Sequence, residues 1–251
     1  MTEKMNTTQA AATASFCGAE ASESCRKILH AAAAVFAKEG FAGARVDAIA
    51  ERAGINKAMV YYHVGDKARL YEAVLSESLD GAREALDAAL ATITSPEERL
   101  RAFVSTVSRV ARENPHFPAL ILREFAGGGS NLPESVLRRI GSIFRIVRQV
   151  LEEGQTDGSF RVASPLLTHL AIAGSVMFLS ASAPIMRRVA ELEGVPPSAD
   201  VSGDVAGPLA DLLLGGLLDV HSGSTAGNQS RTGTRGRVAG RGRTAPTSRQ
   251  P

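Results

Sequence analysis

The spacing of apolar residues is the feature that most constrains what this chain can fold into. From residue 22 to about residue 220 they recur at the interval of one helix face, and no stretch shows the strict alternation of a half-buried strand. Ile28, Ala32, Val35 and Phe36 share a face, and Gly40 ends that segment. Val46, Ile49, Ala50 and Ala53 make a second segment closed by Gly54, and Asn56 is placed to cap a third that runs from Lys57 to about His63. Gly65-Asp66 then breaks and caps a long helix from near Lys67, with the stripe Leu75, Leu79, Ala82, Leu86, Leu90. Ser95-Pro96-Glu97-Glu98 opens the next, with proline in the first turn and acids against the helix dipole; its face is Leu100, Phe103, Val104, Val107, Ala111. A short segment (His116–Phe125) follows. Pro133–Gln155 carries the stripe Leu137, Ile140, Phe144, Val147, Leu151, and Pro165–Leu192 and Asp204–Val220 complete the pattern. The expectation is an all-α fold of about nine helices.

At 251 residues, 44% apolar and 22% charged, the chain has enough apolar material for a sizeable core and is not disordered as a whole. Its ends differ from its middle. Residues 1–21 are rich in Thr, Ala, Ser and Glu and read as a disordered arm without the apolar run of a signal peptide, which argues for a cytoplasmic protein. Residues 222–251 hold six arginines and no acid within a net charge of +2, so the preceding 221 residues carry about −4. This tail reads as a disordered, Gly/Ser/Thr/Arg-rich segment. Cys17 and Cys25 are too few for a disulfide framework or a four-ligand zinc site and fit a reducing compartment. The five histidines (30, 63, 116, 169, 221) show no metal-ligand spacing, and Glu97-Glu98 and Glu152-Glu153 read as solvated faces. There is no Gly-x-Ser-x-Gly, phosphate loop or Gly-x-Gly-x-x-Gly. Neither an enzyme, nor a cofactor, nor a metal is expected. The absence of Trp argues against a carbohydrate or single-strand stacking platform.

Phe41–Leu70 carries the chemistry. Two short helices joined at Gly54, with a helix before and a helix after, have helix-turn-helix organisation, in which the second helix enters the DNA major groove. Lys57 suits guanine O6/N7 or a phosphate, Ala58 and Met59 suit a thymine methyl, and Tyr61, Tyr62 and His63 suit phosphates. Lys67 adds a cation beside backbone amides that favour anions. From Arg45 to Leu70, five cations oppose three acids. On geometry alone, Tyr61-Tyr62-His63 reads equally well as a half-buried aromatic seam in an ordinary helical protein.

Residues 26–75 resemble the N-terminal domain of the TetR/AcrR family of bacterial transcriptional regulators. The resemblance lies in Arg26-Lys27-Ile28-Leu29, Gly40-Phe41, Val46 through Ile55, Val60-Tyr61-Tyr62-His63 and Lys67-Ala68-Arg69-Leu70. It implies an all-helical homodimer with a DNA-binding head (22–70), a divergent ligand-binding and dimerisation domain (71–221), and release of the operator, usually by a repressor, on binding a small-molecule effector. By position it implies base contacts from Lys57, Ala58 and Met59 and phosphate contacts from Tyr61, Tyr62, His63 and Lys67, with Ile49, Ala53 and Val60 in the head core. Two departures stand out. Ala44 and Arg45 occupy the place of the family's Ser or Thr, weakening the cap of the second helix and making Arg45 a substitute phosphate contact. Val64 replaces a frequent Phe.

Beyond the head, Phe103, Phe125, Phe144, Met177 and Phe178 sit on apolar stripes, with Arg123 and His169 as polar groups among them. Such a set suits a pocket for a mostly apolar ligand, and equally suits plain core. Pro165–Met186 has no Lys, Arg, Asp or Glu, so its length alone would permit a membrane span. Small residues (Ala171, Gly174, Ser175, Ala181) and the leucines of 208–220 favour instead a four-helix dimer bundle and no membrane. The competing reading is an all-helical small-molecule-binding or membrane-associated protein whose helix-turn-helix is incidental. The tail yields one prediction for a DNA-binding chain. Deleting 222–251 flattens the slope of log affinity against log salt, by ~0.9 for each phosphate the tail neutralises, and leaves site preference unchanged; an unaltered slope in a salt titration refutes the tail's role.

Overall fold

The structure, a computed structural model, describes residues 23–194 and 206–218. The expected N-terminal arm (1–21) and arginine-rich tail (222–251) lie outside the described residues. Among those described are nine helices: Glu23–Gly43 (α1), Val46–Ala53 (α2), Lys57–Val64 (α3), Lys67–Leu90 (α4), Pro96–Glu113 (α5), Phe117–Ala126 (α6), Glu134–Thr156 (α7), Pro165–Leu192 (α8) and Ala206–Leu217 (α9). The only extended pairing among them is an isolated bridge between Phe160 and Leu218.

The sequence punctuation acts as expected. The side chains of Asn56, Asp66, Ser95 and Ser164 each accept a backbone N–H at the start of α3, α4, α5 and α8, satisfying donors that a helix start leaves open. Arg45 stands at the start of α2 with no side-chain cap, as its departure from Ser/Thr predicts. Gly54 closes α2 at φ 66, a left-handed conformation that glycine adopts without strain.

α1, α2 and α3 pack around the first turns of α4 through Ile28, Phe36, Ile49, Val60, Val64, Leu70 and Tyr71, all buried. α4 then continues without a break into the body, where it packs on α5 and α7, while α8 lies against α5, α6 and α7, and α9 against α5. The boundary drawn between residues 70 and 71 therefore falls inside α4, and head and body belong to one compact unit. The junction is polar and buried. Glu124 on α6 is 3% exposed, and its carboxylate accepts from Tyr71 Oη at 2.7 Å and from Asn131 N and Nδ2 at 3.3 and 3.1 Å. Burial, with the Glu124 carboxylate beside it, pushes the Tyr71 phenol well above its usual range, so it stays a donor.

Three expectations need correction. The α7 stripe is rotated: Val136, Ile143, Val147, Val150 and Leu151 are buried, Ile140 and Phe144 are half-buried, and Leu137 is 50% exposed, because α7 is covered on separate sides by α4, α5 and α8. In α9, Leu214 and Leu217 turn inward onto α5 rather than outward with Leu212. Cys25 is disulfide-bonded rather than reduced; Cys17 lies outside the described residues.

Gly154 of α7 is a close-approach glycine, since a Cβ there would sit 2.2 Å from Phe160 Cδ2. Gly81 of α4, by contrast, has open space around a would-be Cβ. Ala in place of Gly ordinarily steadies an exposed helix interior by ~0.5–1 kcal/mol. Gly81→Ala should therefore raise stability by about that amount, while Gly154→Ala lowers it by ~1–3 kcal/mol through overpacking. Urea unfolding at one fixed protein concentration measures both.

Candidate nucleic-acid interface and internal cavity

α3 owes its exposed face to two residues. Val60 and Val64, one turn apart, are buried against the head core, which turns Ala58, Met59, Tyr61 and Tyr62 to solvent. Met59 is 42%, Tyr61 44% and Tyr62 81% exposed, an unusual concentration of large apolar and aromatic groups on so short a helix. This disposes of the seam reading for Tyr61 and Tyr62. His63 is half-buried, edge-on to Tyr62 with ring centroids 5.4 Å apart.

Two cations are already engaged. Lys57 Nζ lies 2.7 Å from Asp47 Oδ1 on α2, and this hydrogen bond holds the ammonium above and the carboxyl below their ordinary ranges. Both groups are exposed, so the pair is easily exchanged for another anion. Lys67 Nζ donates to Ala42 O at 3.1 Å and lies 5.0 Å over the Phe41 ring, fixing it to the end of α1. Arg45 is exposed, with Asp47 at 3.9 Å. The α4 N-terminus is capped by Asp66, whose Oδ1 accepts from Arg69 N at 2.8 Å. Sequence reasoning missed Asp47 as the partner of Lys57. It also missed a groove along α1 and α2 lined by Arg26, Lys27, His30 and Arg52, residues too far apart in sequence to suggest one site.

The body holds a partly open cavity of about 80 Å³ between α4, α5, α6, α7 and α8. One water needs ~10–15 Å³, so the space holds more than a stray solvent molecule. Of the residues expected at a pocket, Phe103, Phe125, His169 and Met177 line it. Phe144 stands behind, edge-on to His169 with centroids 5.6 Å apart. Two expectations fail. Phe178 points away from the core and is 61% exposed. Arg123 turns to the end of α1, where Nη2 donates to Ala37 O and Lys38 O, both at 3.3 Å; uncapped helix carbonyls attract a guanidinium more than an apolar cavity does. The remaining lining, including Leu79, Val107, Phe117, Ile121 and Ile143, is indistinguishable from core in sequence. His169 is buried, its Nδ1 has no hydrogen-bond partner, and burial lowers its proton affinity so that the imidazole is neutral. No cluster of His, Cys, Asp or Glu among the described residues suits a metal ion.

The comparisons agree with this arrangement. Residues 28–74 match the family described as bacterial regulatory proteins, tetR family, and residues 94–181 match the tetracyclin repressor-like C-terminal domain. The transcriptional repressor NicS of Pseudomonas putida is 32% identical over 136 residues, 53% of this chain and 64% of that protein. The transcriptional activator FasR of Mycolicibacterium smegmatis is 41% identical over 78 residues, 31% of this chain and 36% of that protein. The chain thus spans less than two thirds of the length of these curated relatives. FadR of Bacillus subtilis, a transcriptional regulator solved with stearoyl-CoA, superposes with a TM-score of 0.62 at 17% identity, over 76% of this chain and 98% of its own. Head and body both match, in the family's order, and the chain belongs to the TetR family of bacterial regulatory proteins.

Proposed function

We propose that this chain is a ligand-responsive DNA-binding transcriptional regulator, a repressor that releases a near-palindromic operator when a small molecule occupies its body. The observation that carries the reading is the solvent-facing side of α3, where Lys57, Ala58, Met59, Tyr61 and Tyr62 project from a helix whose buried anchors are Val60 and Val64. Within it, Lys57, Ala58 and Met59 read bases, and Arg45, Tyr61, Tyr62, His63 and Lys67 hold phosphates. NicS, named a repressor, is similar over the longer stretch, and FasR, named an activator, over the shorter. Acting on chromosomal DNA, the protein works in the cytoplasm.

Dimerisation belongs to the same reading. Leu166, Leu170, Gly174, Phe178, Ala181, Ile185, Val189 and Leu192 follow at three- and four-residue intervals along the whole of α8 on the side away from the core. Six of them, Leu166, Leu170, Phe178, Ile185, Val189 and Leu192, are 44–85% exposed. An apolar stripe of this length suits a second copy of the helix packed across a two-fold axis. The length and hydropathy of α8 also meet the requirement for a membrane span, which favours the membrane-associated alternative. Its other side supports the dimer: Thr168, His169, Ile172, Val176 and Met177 are buried within the chain's own body. A homodimer sets two α3 helices against half-sites about one DNA turn, ~34–36 Å, apart.

Effector and DNA couple through α6. Phe117, Ile121 and Phe125 line the cavity, while the intervening Arg123 and Glu124 hold α1 and Tyr71 of α4. Ligand pockets commonly measure ~300–1,000 Å³. A ligand larger than the present cavity moves α6 as it enters, and with it the head. The effector shifts the equilibrium by its differential affinity for the two arrangements.

Two predictions test the proposal. In fluorescence-anisotropy titrations against DNA from the chain's own upstream region and a scrambled duplex, Tyr61→Ala weakens binding to both. Lys57→Ala and Met59→Ala change which sequence is preferred, by ~1–3 kcal/mol at the position read; parent-like binding by all three refutes the head assignment. Phe178→Glu places a charge in the middle of the α8 stripe and converts the dimer to monomer in sedimentation, without detergent and with helicity intact. A parent that sediments as a monomer refutes the stripe's role.

A further inference from the structure

We infer that the effector is an uncharged, largely apolar molecule carrying one hydroxyl, phenolic or alcoholic, which bonds to His169. This rests on the reading of the cavity as the effector site and names what that site admits.

Among the described lining residues the side chains are aliphatic, aromatic or thioether, and His169 alone is polar. Among the described residues no cation lines the space. Arg123, beside the lining residues Ile121 and Phe125, bonds to the carbonyls of α1. Arg139, next to the lining residue Ile140, lies against Asp80, its Nε 2.9 and 3.0 Å from the two carboxylate oxygens. Arg83, one residue beyond the lining Ala82, is held by Asp87 and by Ser142 O, each at 2.9 Å. A carboxylate, phosphate or sulfate placed in the cavity would lose its hydration and meet no opposite charge, a large cost. The same holds for an ammonium, since no acid lines the space among the described residues.

His169 supplies the polar half of the specification. It is 8% exposed, its Nδ1 is fully buried without a partner, and Phe144 packs edge-on against the ring. A buried polar atom left unpaired is costly, and partners for nearly all such atoms are the rule in folded proteins. A neutral imidazole presents a donor at one nitrogen and an acceptor at the other, and which is which is not fixed by neighbours here. A hydroxyl both donates and accepts, so it can pair with the ring nitrogen that reaches the cavity in either tautomer, whereas a ketone or ether serves only one. Burial, by holding the ring neutral, removes the charge that would otherwise attract a carboxylate.

Three probes of one shape separate the possibilities: 2-naphthol, naphthalene and 2-naphthoate, titrated into the full-length chain and followed by calorimetry or by the probes' own fluorescence. 2-Naphthol is expected to bind about tenfold more tightly than naphthalene, the worth of one good hydrogen bond, and at least tenfold more tightly than 2-naphthoate. His169→Phe is expected to erase the preference of naphthol over naphthalene. Naphthoate binding as tightly as naphthol overturns the class of effector and leaves the cavity as a ligand site. So does a naphthol preference that survives His169→Phe. If none of the three binds, the cavity reading falls with it. The comparison among probes is made on the parent chain, so it stands even if the variant fails to fold.

Discussion

A carboxylate removed from water must be given donors, and Glu124 is given three: the Tyr71 hydroxyl, the Asn131 backbone N–H and the Asn131 side-chain amide. They come from two separate parts of the fold, so meeting this need fixes the fold's hardest angle. Tyr71 sits where α4 passes from head to body, and Asn131 sits in the turn that follows α6. Losing any donor would leave a partly compensated charge in the interior, which costs more than the bond itself contributes. The head packs against this point: Phe36 stands edge-on to Tyr71 with centroids 4.8 Å apart, and Phe41 lies 5.1 Å from it on another side. Arg123, the preceding residue on α6, holds the carbonyls of α1 where the chain turns at Gly40, whose φ is 73. α6 thus grips two head helices with adjacent side chains while its apolar residues face the cavity.

Much of this was legible in the sequence, and the reason is local. Helix starts are written in short side chains that satisfy nearby amides, so Asn56, Asp66 and Ser95 marked their helices without reference to the rest of the chain. Gly54 and the apolar pairs around it specified the helix-turn-helix in the same way, and the resemblance over residues 26–75 rested on that spacing. The fold class followed from periodicity alone.

What escaped was decided between elements distant in sequence. A stripe such as Leu137-Ile140-Phe144 shows that α7 is amphipathic but not how far neighbours on both flanks rotate it, and the observed core line is one residue away. Arg123 looked like a pocket residue because it precedes Glu124-Phe125; only the approach of α1 shows where its guanidinium goes. Phe178 and Met177 are adjacent and equally apolar, yet one faces solvent and the other the cavity. A helix packed on one side only assigns opposite fates to neighbours in its sequence.

His169 and Met177 face the cavity while Leu170 and Phe178 carry the outer stripe, so in the proposed dimer α8 would stand between the effector and the partner protomer. A close-packed interior transmits strain, so a shift on one side of the helix is felt on the other. Occupancy of the cavity and strength of pairing would thus be thermodynamically linked, each altering the other by the same factor. The potency of an effector would then vary with the cellular abundance of the regulator itself, and changes confined to the outer stripe would retune sensitivity to a molecule they never touch.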